Sequence, residues 1–315
     1  MTKIPVIVGP TSTGKTSLAI ELCTALNKPG HKSQILSADS RQIYKKMDIG
    51  TGKKPLDLSE KISVGDTKWT INGVDILGYD LVFPDQTFSS FEYAEFALSI
   101  LKKGIAQKNM TILVGGTGFY IDAVTGRAQQ SNVIPDFEYR KTLEMLETEK
   151  LAQKLMSLNL EVYNNTDVKN RNRLIRAIER ENPSKKIRTP LPLISDVQYV
   201  YYGLTAPNEF LYQRVDAWLD TIWRNGLLDE TNELIKLGYK DSPRMHGLVY
   251  KSALEFTEGT LAEQNAIQRA KFDLHAYTRR QLTWFKKNKE IKWFDISNST
   301  KNEISNKILS DLKLS

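Results

Sequence analysis

Short apolar runs alternate with amphipathic stretches over the first third of the chain. Ile4–Val8, Ile35–Ser37 and Thr111–Val114 are too short for helices and are interpreted as buried strands. Between them, Thr16–Leu26 and Phe91–Ile105 carry apolar residues at helical spacing. Strands that alternate with helices predict a parallel sheet with helices on both of its faces.

The middle of the chain has a different pattern. Between about residues 128 and 188, strand-like runs give way to polar, highly charged stretches with helical spacing. Val197–Leu204 then predicts a further buried strand. We therefore expect an all-helical domain of residues 128–188, inserted into a sheet domain made of residues 1–127 and 189–315.

The last third of the chain is mostly helical in its pattern. Phe210–Gly226, Leu228–Leu237 and Thr260–Lys287 are predicted helices. Trp293–Asp295 is predicted as a short final strand.

The distribution of charge indicates what the middle of the chain could bind. The protein has 44 Lys and Arg residues against 37 Asp and Glu residues, for a net charge of +7. Residues 169–188 hold eight of the basic residues and only two acids. Arg173, Arg176 and Arg180 have the spacing of one helix face. Such a stripe can follow a nucleic-acid backbone, although a solvated helix face is the usual alternative.

A single cysteine, Cys23, excludes an internal disulfide. Its helical spacing with Leu18, Leu22 and Leu26 predicts a small buried hydrophobe. We find no signal-peptide pattern and no apolar run near the roughly 20 residues of a membrane span. These features predict a cytoplasmic protein without a membrane partner.

A phosphate-binding loop follows the first predicted strand and opens the first predicted helix. Its glycines let backbone N–H groups turn inward, and the helix N-terminus adds partial positive charge. The lysine can bind terminal phosphate oxygens, and the last threonine can bind a Mg²⁺ ion that bridges them. The motif predicts binding of a diphosphate or a longer phosphate chain, and with the strand pattern it predicts an α/β, P-loop NTPase-like fold with an inserted all-helical domain. The residues that match G-x-x-x-x-G-K-[ST] are Gly9, Pro10, Thr11, Ser12, Thr13, Gly14, Lys15 and Thr16.

Several further segments of the chain, together with the P-loop, match the motifs of a known family. Over nearly the whole chain, from Ile4 to about Asp295, the sequence resembles the tRNA dimethylallyltransferase (tRNA isopentenyltransferase) family. The segments that carry this resemblance are the P-loop, Ser37–Tyr44 with Met47–Thr51, Val114–Tyr120, Arg173–Glu179, Gly226–Glu230 and Arg279–Phe285.

The resemblance implies a reaction. The family transfers a dimethylallyl group from dimethylallyl diphosphate to N6 of the adenosine 3′-adjacent to the anticodon in tRNA, and diphosphate leaves. The P-loop would then hold the diphosphate of the donor, with Mg²⁺ bound through that diphosphate near Thr16. The protein is expected to act as a monomer.

Asp39 is the candidate general base. It follows the second predicted strand, at the edge of a parallel sheet where ligands gather. A carboxylate can align the weakly nucleophilic exocyclic amine and accept its proton, and the resemblance implies this role. The alternative is a helix N-cap.

The resemblance implies two further catalytic groups and a second anion-binding residue. Lys15 and Thr117 would act with Asp39, although Thr117 could serve only as a turn residue. Arg214 would contact the diphosphate, with a surface charge as the alternative. Relatives usually carry a second arginine four residues later, where this chain has Trp218.

Residues implied to bind tRNA fall in three segments and at two single positions. Relatives commonly have glycine where this chain has Val249, and His246 lacks partners for a metal role. Arg279, Arg280 and Trp284 could stack on RNA, but packing of the aromatic side chains is the favoured alternative. The implied tRNA-binding residues are Asp39, Ser40, Arg41, Gln42, Thr117, Arg140, Asn172, Arg173, Leu174, Ile175, Arg176, His246, Gly247, Leu248, Val249, Tyr250 and Lys251.

Three other functions remain open from the sequence. A nucleotide kinase uses the same loop, but it does not require a large basic insertion. An adenylate prenyltransferase that acts on free AMP or ADP is disfavoured by the same insertion. A P-loop protein that binds RNA without catalysis is disfavoured because Lys15, Thr16 and Asp39 occur together.

Overall fold

The computed structural model describes residues 1–27, 32–57, 59–128 and 131–312. The chain divides into two compact units: unit 1 comprises Met1–Ala128 and Leu193–Ser315, and unit 2 comprises Gln129–Pro192. Within the described ranges, no helix is both long and apolar enough to cross a membrane.

Unit 1 contains one mixed sheet. Its strand order is β3-β4-β5-β2-β6-β1-β7-β8, with antiparallel pairs only at β3-β4 and β4-β5 among the described residues. The mostly parallel sheet confirms the predicted fold class. The strands are β1 (Thr2–Val8), β2 (Ser33–Ser37), β3 (Ile62–Val64), β4 (Trp69–Ile71), β5 (Val74–Leu77), β6 (Met110–Gly115), β7 (Val197–Thr205) and β8 (Lys292–Asp295).

Helices flank this sheet in unit 1. The first follows the P-loop, and the second begins with a capping box in which Ser89 and Glu92 exchange side-chain and backbone hydrogen bonds. The helices are α1 (Lys15–Leu26), α2 (Ser90–Ala106), α3 (Gly118–Thr125), and then, after unit 2, α8 (Asn208–Ile222), α9 (Leu228–Lys236), α10 (Leu248–Thr257), α11 (Glu263–Phe285) and α12 (Lys301–Leu312).

Unit 2 is helical over its described residues, with a short antiparallel bridge between Val133 and Ile187. Apolar side chains from three of its helices form a separate core that includes Leu143, Leu151 and Leu174. Its helices are α4 (Phe137–Glu144), α5 (Thr148–Leu158), α6 (Leu160–Asn164) and α7 (Arg171–Glu181).

The core of unit 1 includes side chains of the strands, of α1 and of α12. Ile7, Ile112 and Tyr202 are fully buried, as is Cys23. Burial raises the pKa of the Cys23 thiol to about 12. The prediction of Cys23 as a small buried hydrophobe is confirmed.

The sheet order explains why distant motifs meet. Strands β2, β6 and β1 are neighbours and run parallel. The P-loop follows β1, Asp39 follows β2, and Thr117 follows β6. Because the carboxyl ends of parallel strands lie at one edge of a sheet, all three motifs are brought to the same edge.

Candidate active site

The P-loop connects β1 to the first turn of α1. Gly9 has a φ of 146°, and a Cβ at this position would lie 2.5 Å from the carbonyl oxygen of Leu204. Gly14 has a φ of 84° and directly precedes α1. Both positions therefore require glycine. The loop leads into the N-terminus of α1, where partial positive charge favours an anion.

The Lys15 side chain is hydrogen-bonded back to the start of the P-loop. Its Nζ donates a hydrogen bond of 2.6 Å to the carbonyl oxygen of Pro10. Burial lowers the pKa of Lys15 to about 8, and the nearby Asp39 carboxylate opposes this shift. Because anions favour the ammonium form, a bound diphosphate would raise this pKa again.

Asp39 lies in the turn that follows β2. Its Oδ1 accepts the backbone N–H of Arg41 at 2.9 Å, and residues 40–43 form a turn in place of the helix that an N-cap would start. Its Oδ2 lies 3.6 Å from the point that a Cβ on Gly116 would occupy. The same point lies 2.3 Å from Nε2 of Gln281, so glycine at this position allows the Gln281 amide to pack beside the carboxylate.

Thr117 links the glycine turn after β6 to the Asp39 segment. Its Oγ1 accepts the backbone N–H of Ser40 at 2.9 Å and donates to the hydroxyl of Ser40 at 3.1 Å. Its own N–H donates to the carbonyl oxygen of Ala38 at 3.1 Å. Thr117 therefore joins two of the three loops at this edge.

Gln281, on α11, joins the third loop and was missed by the sequence reasoning, although it lies within the quoted Arg279–Phe285 motif. Its Oε1 accepts the backbone N–H of Thr11 at 2.9 Å. Its Nε2 donates to the carbonyl oxygen of Gly116 at 2.9 Å. One buried side chain thereby connects the P-loop to the glycine turn.

The three loops surround a cavity of about 180 Å³. A larger cavity of about 420 Å³ lies at the amino-terminal edge of the sheet, and none of its described lining residues is a predicted site residue. The smaller cavity is therefore the candidate active site. It is lined by Thr11, Ser12, Gly14, Lys15, Thr16, Ser17, Asp39, Gln42, Thr51, Gly52, Val114, Gly115 and Trp218.

Known proteins are similar to this chain in sequence and fold. A model of the IPP transferase family matches residues 42–288. The chain is 33% identical to tRNA dimethylallyltransferase of Acetivibrio thermocellus, over 99% of this chain and 97% of that relative. The chain belongs to the IPP transferase family. The resemblance predicted from the motifs is thus confirmed.

Two crystal structures from this family are similar to the present fold. One is a tRNA isopentenylpyrophosphate transferase from Bacillus halodurans, with 27% identity, a TM-score of 0.69, and coverage of 99% of this chain and 97% of that chain. The other is a tRNA isopentenylpyrophosphate transferase from Staphylococcus epidermidis, with 26% identity, a TM-score of 0.69 and 99% coverage of both chains.

In this IPP transferase, α8 borders the P-loop. Arg214 Nε donates to the carbonyl oxygen of Ser12 at 2.8 Å, which ties the helix to the loop. Arg214 lines a neighbouring cavity of about 230 Å³. Trp218, one helical turn later, lines the candidate active site itself.

The Ser40–Gln42 turn contributes one residue to the cavity wall, and its arginine lies outside that wall. Gln42 lines the cavity, and its amide accepts from Ser37 at 2.8 Å and donates to the carbonyl oxygen of Thr51 at 3.3 Å. The Arg41 guanidinium lies 3.0 Å from the point that a Cβ on Gly247 would occupy. Two segments predicted to bind RNA therefore meet at this point.

The 246–251 segment is only partly accessible. His246 is exposed, but Val249 and Tyr250 are buried. Tyr250 donates a hydrogen bond of 2.6 Å to Glu230, whose carboxylate also accepts the backbone N–H groups of Asp48, Ile49 and Gly50. Tyr250 thus supports the loop that leads to Thr51 and Gly52 at the cavity wall.

Within unit 2, some of the predicted RNA-binding residues on α7 are exposed and the others are buried. Asn172, Arg173 and Arg176 are exposed. Leu174 and Ile175 are buried in the unit's own core, so their side chains serve packing.

Arg140, also in unit 2, forms an ion pair with a buried carboxylate. Its Nε and Nη2 form hydrogen bonds of 2.8 and 2.9 Å to Glu179, and Arg176 Nη1 adds a third of 2.9 Å. Glu179 is 3% exposed, so these cations stabilise a buried charge. Arg173 and Arg180 remain the exposed cations of this helix face that do not contact Glu179.

Proposed function

We propose that this protein transfers a dimethylallyl group from dimethylallyl diphosphate to N6 of the adenosine 3′-adjacent to the anticodon in tRNA and releases diphosphate. One observation carries the proposal: the P-loop with Lys15 and the carboxylate of Asp39 line the same small cavity. The leaving diphosphate and the entering amine could therefore meet in one site, the first at the P-loop and the second at Asp39. Membership of a family whose relatives are named tRNA dimethylallyltransferases supports the choice of substrates.

The diphosphate of the donor would bind at Gly9–Thr16. The N-terminus of α1 and the Lys15 ammonium supply positive charge there, and both become more effective as charge develops on the leaving diphosphate. Arg214 would add long-range attraction from its position against Ser12. The loop needs no ATP for this role.

Asp39 would accept the proton from the target amine. The Arg41 N–H fixes Oδ1, which orients the carboxylate, and Asp39 lines the cavity that the amine would enter. An exocyclic amine is a weak nucleophile because its lone pair is delocalised into the ring. A carboxylate within hydrogen-bonding distance of N6 raises its reactivity as the new bond forms. Thr117 would hold the Asp39 turn in place through Ser40.

A divalent metal fits the donor set, and we assign Mg²⁺. Within the described ranges, no cluster of three or more His, Cys, Asp or Glu side chains could hold a metal by itself. Mg²⁺ commonly binds through one protein oxygen together with substrate phosphates and water. The Thr16 hydroxyl lies at the cavity wall and could provide that oxygen. When bound, the metal would neutralise charge on the diphosphate.

Unit 2 would bind the anticodon stem-loop of the tRNA. The exposed cations Arg173 and Arg180 on α7 are suited to phosphates, and a loop base can leave its stack at lower cost than a base in a duplex. A tRNA substrate implies action in the cytoplasm. We propose that one chain supplies all of these residues and works as a monomer.

Diphosphate release that is coupled to prenylation of RNA distinguishes this reaction from its alternatives. The protein is mixed with Mg²⁺, dimethylallyl diphosphate and an anticodon stem-loop RNA, and inorganic diphosphate is measured against prenylated RNA. We expect equal amounts of both products, and none with AMP in place of RNA. Phosphoryl transfer from ATP to a nucleotide without RNA would instead identify a kinase. Prenylation of free AMP would identify an adenylate prenyltransferase.

A further inference from the structure

The wall of the candidate active site has an unusual composition for a site that binds an alkyl diphosphate. Its described lining is almost entirely glycine and polar residues, with Lys15 and Asp39 as its charged members. Val114 and Trp218 are the large apolar side chains of this lining, and Val114 is 3% exposed. Trp218 is therefore the main apolar surface that the cavity offers to a five-carbon group.

The position of the indole is set by α8. Arg214, one turn before, is hydrogen-bonded to the P-loop, so this part of the helix is held against the phosphate cradle. The Trp218 ring lies 3.7 Å from the point that a Cβ on Gly52 would occupy, which restricts the ring from the opposite side. The indole thus forms a supported wall of the cavity.

The proposed reaction needs an electron-rich surface at this place. The C1–O bond of the donor breaks, and its electron pair leaves with the diphosphate. The N6 lone pair forms the new C–N bond, and the N6 proton passes to Asp39. While the first bond is breaking, the allylic carbons carry positive charge, which the face of an indole stabilises.

We propose that Trp218 contacts the dimethylallyl group of the donor and stabilises the positive charge on its allylic carbons. This inference rests on the proposed function. The indole brings no positive charge of its own, and its face adds an attractive surface for the developing cation.

A different role for Trp218 is at the phosphate end of the cavity. Trp69, Trp223 and Trp284 donate their indole N–H groups to carboxylates. The Trp218 N–H has no such partner among the described residues, so it could donate to the diphosphate. This role needs the N–H group, whereas the proposed role needs the aromatic face.

Trp218→Phe and Trp218→Leu separate the two roles kinetically. The measurement is the single-turnover rate of RNA prenylation at saturating donor, with Trp218→Met as a second non-aromatic variant. We expect Trp218→Phe to remain within about threefold of wild type, and Trp218→Leu and Trp218→Met to react about 5- to 30-fold more slowly. Phe272→Leu, which removes an exposed aromatic residue outside the cavity, is the control and should react as wild type.

Binding of two ligands completes the test. Calorimetry in Mg²⁺ should give the same affinity for inorganic diphosphate in wild type and all three Trp218 variants, since this ligand has no alkyl group. Equal weakening of inorganic diphosphate and dimethylallyl diphosphate would overturn the proposal in favour of the phosphate role. A wild-type rate in Trp218→Leu would also overturn it, with the function intact. No prenylation by wild type would instead remove the proposed function and this inference together.

Discussion

At the scale of single residues, the candidate active site brings one cation and one carboxylate together in a small cavity. Lys15 and Asp39 are close enough for the carboxylate to raise the lysine pKa against the larger effect of burial. Their roles in the proposed reaction are different, because Lys15 meets the leaving group and Asp39 the entering amine. Each role can be tested without disturbing the other.

Asp39→Asn tests proton acceptance alone. The amide oxygen can still accept the Arg41 N–H, so the turn should keep its shape, but the side chain no longer accepts a proton. We expect the single-turnover rate to fall by about 10²- to 10⁴-fold while RNA binding, measured by filter retention, is unchanged. Asp57→Asn, at an exposed position, is the control. Turnover at the wild-type rate would exclude Asp39 as the base.

The lowered pKa of Lys15 predicts a pH dependence of donor binding. In the free protein Lys15 is charged below about pH 8 and loses its proton as the pH rises through that value. Wild type should therefore bind inorganic diphosphate progressively more weakly above about pH 8. Lys15→Met should bind weakly throughout and follow only the ligand's own titration. Parallel pH profiles for the two proteins would contradict this assignment.

The sequence predicted the site unevenly at this scale. Lys15, Thr16 and Asp39 could be assigned because the spacing of the P-loop and the family motifs are local in sequence. Gln281 could not, since its partners Thr11 and Gly116 are far from it in the chain and only the fold brings them together. The position of Trp218 at the cavity wall has the same cause.

At the scale of elements, α11 connects the P-loop to the glycine turn through one side chain. Gln281→Met keeps the size of the side chain and removes both hydrogen bonds. We expect kcat/KM for the donor to fall by about tenfold or more, because the P-loop and the glycine turn no longer share a support. Gln264→Met, at an exposed position on the same helix, should have no effect. Equal activity of both variants would show that Gln281 only packs.

Element prediction failed where turns decide the structure. The hairpin of β4 and β5 was missed, although Asn72 and Gly73, both with positive φ, form the Asn-Gly turn that is a strong hairpin signal. The predicted Phe210–Gly226 helix is interrupted before its expected end, because the chain kinks after α8 at Asn225 and Gly226, whose φ and ψ angles are not helical. Gly226 has a φ of 114° there, and a Cβ would lie 2.8 Å from Ile49.

At the scale of the whole molecule, the two units are assigned different parts of the substrate. Unit 1 holds the reacting groups, and unit 2 carries the basic α7. One of its cations is paired within the unit, because Arg176 binds the buried Glu179. The number of basic residues in 169–188 therefore exceeds the number that are unpaired and available to RNA, which a count along the sequence could not reveal.

Arg173→Glu together with Arg180→Glu tests the assignment of unit 2. We expect weaker binding of the anticodon stem-loop and a salt dependence whose slope falls by about one for each phosphate that the variant no longer binds. Binding of inorganic diphosphate should not change. Lys102→Glu with Lys103→Glu, an exposed pair on α2, makes the same change of charge in unit 1 and is the control. An equal reduction of RNA binding in both double variants would indicate a general effect of net charge.

The central claim is that the P-loop cavity transfers a prenyl group to one base of an RNA. The most direct measurement is mass spectrometry of an anticodon stem-loop RNA after incubation with the protein, dimethylallyl diphosphate and Mg²⁺, followed by nuclease mapping. The account predicts one dimethylallyl group on N6 of the adenosine 3′-adjacent to the anticodon, and none when that adenosine is replaced by guanosine. An unmodified RNA, or a prenyl group at another base, would contradict it.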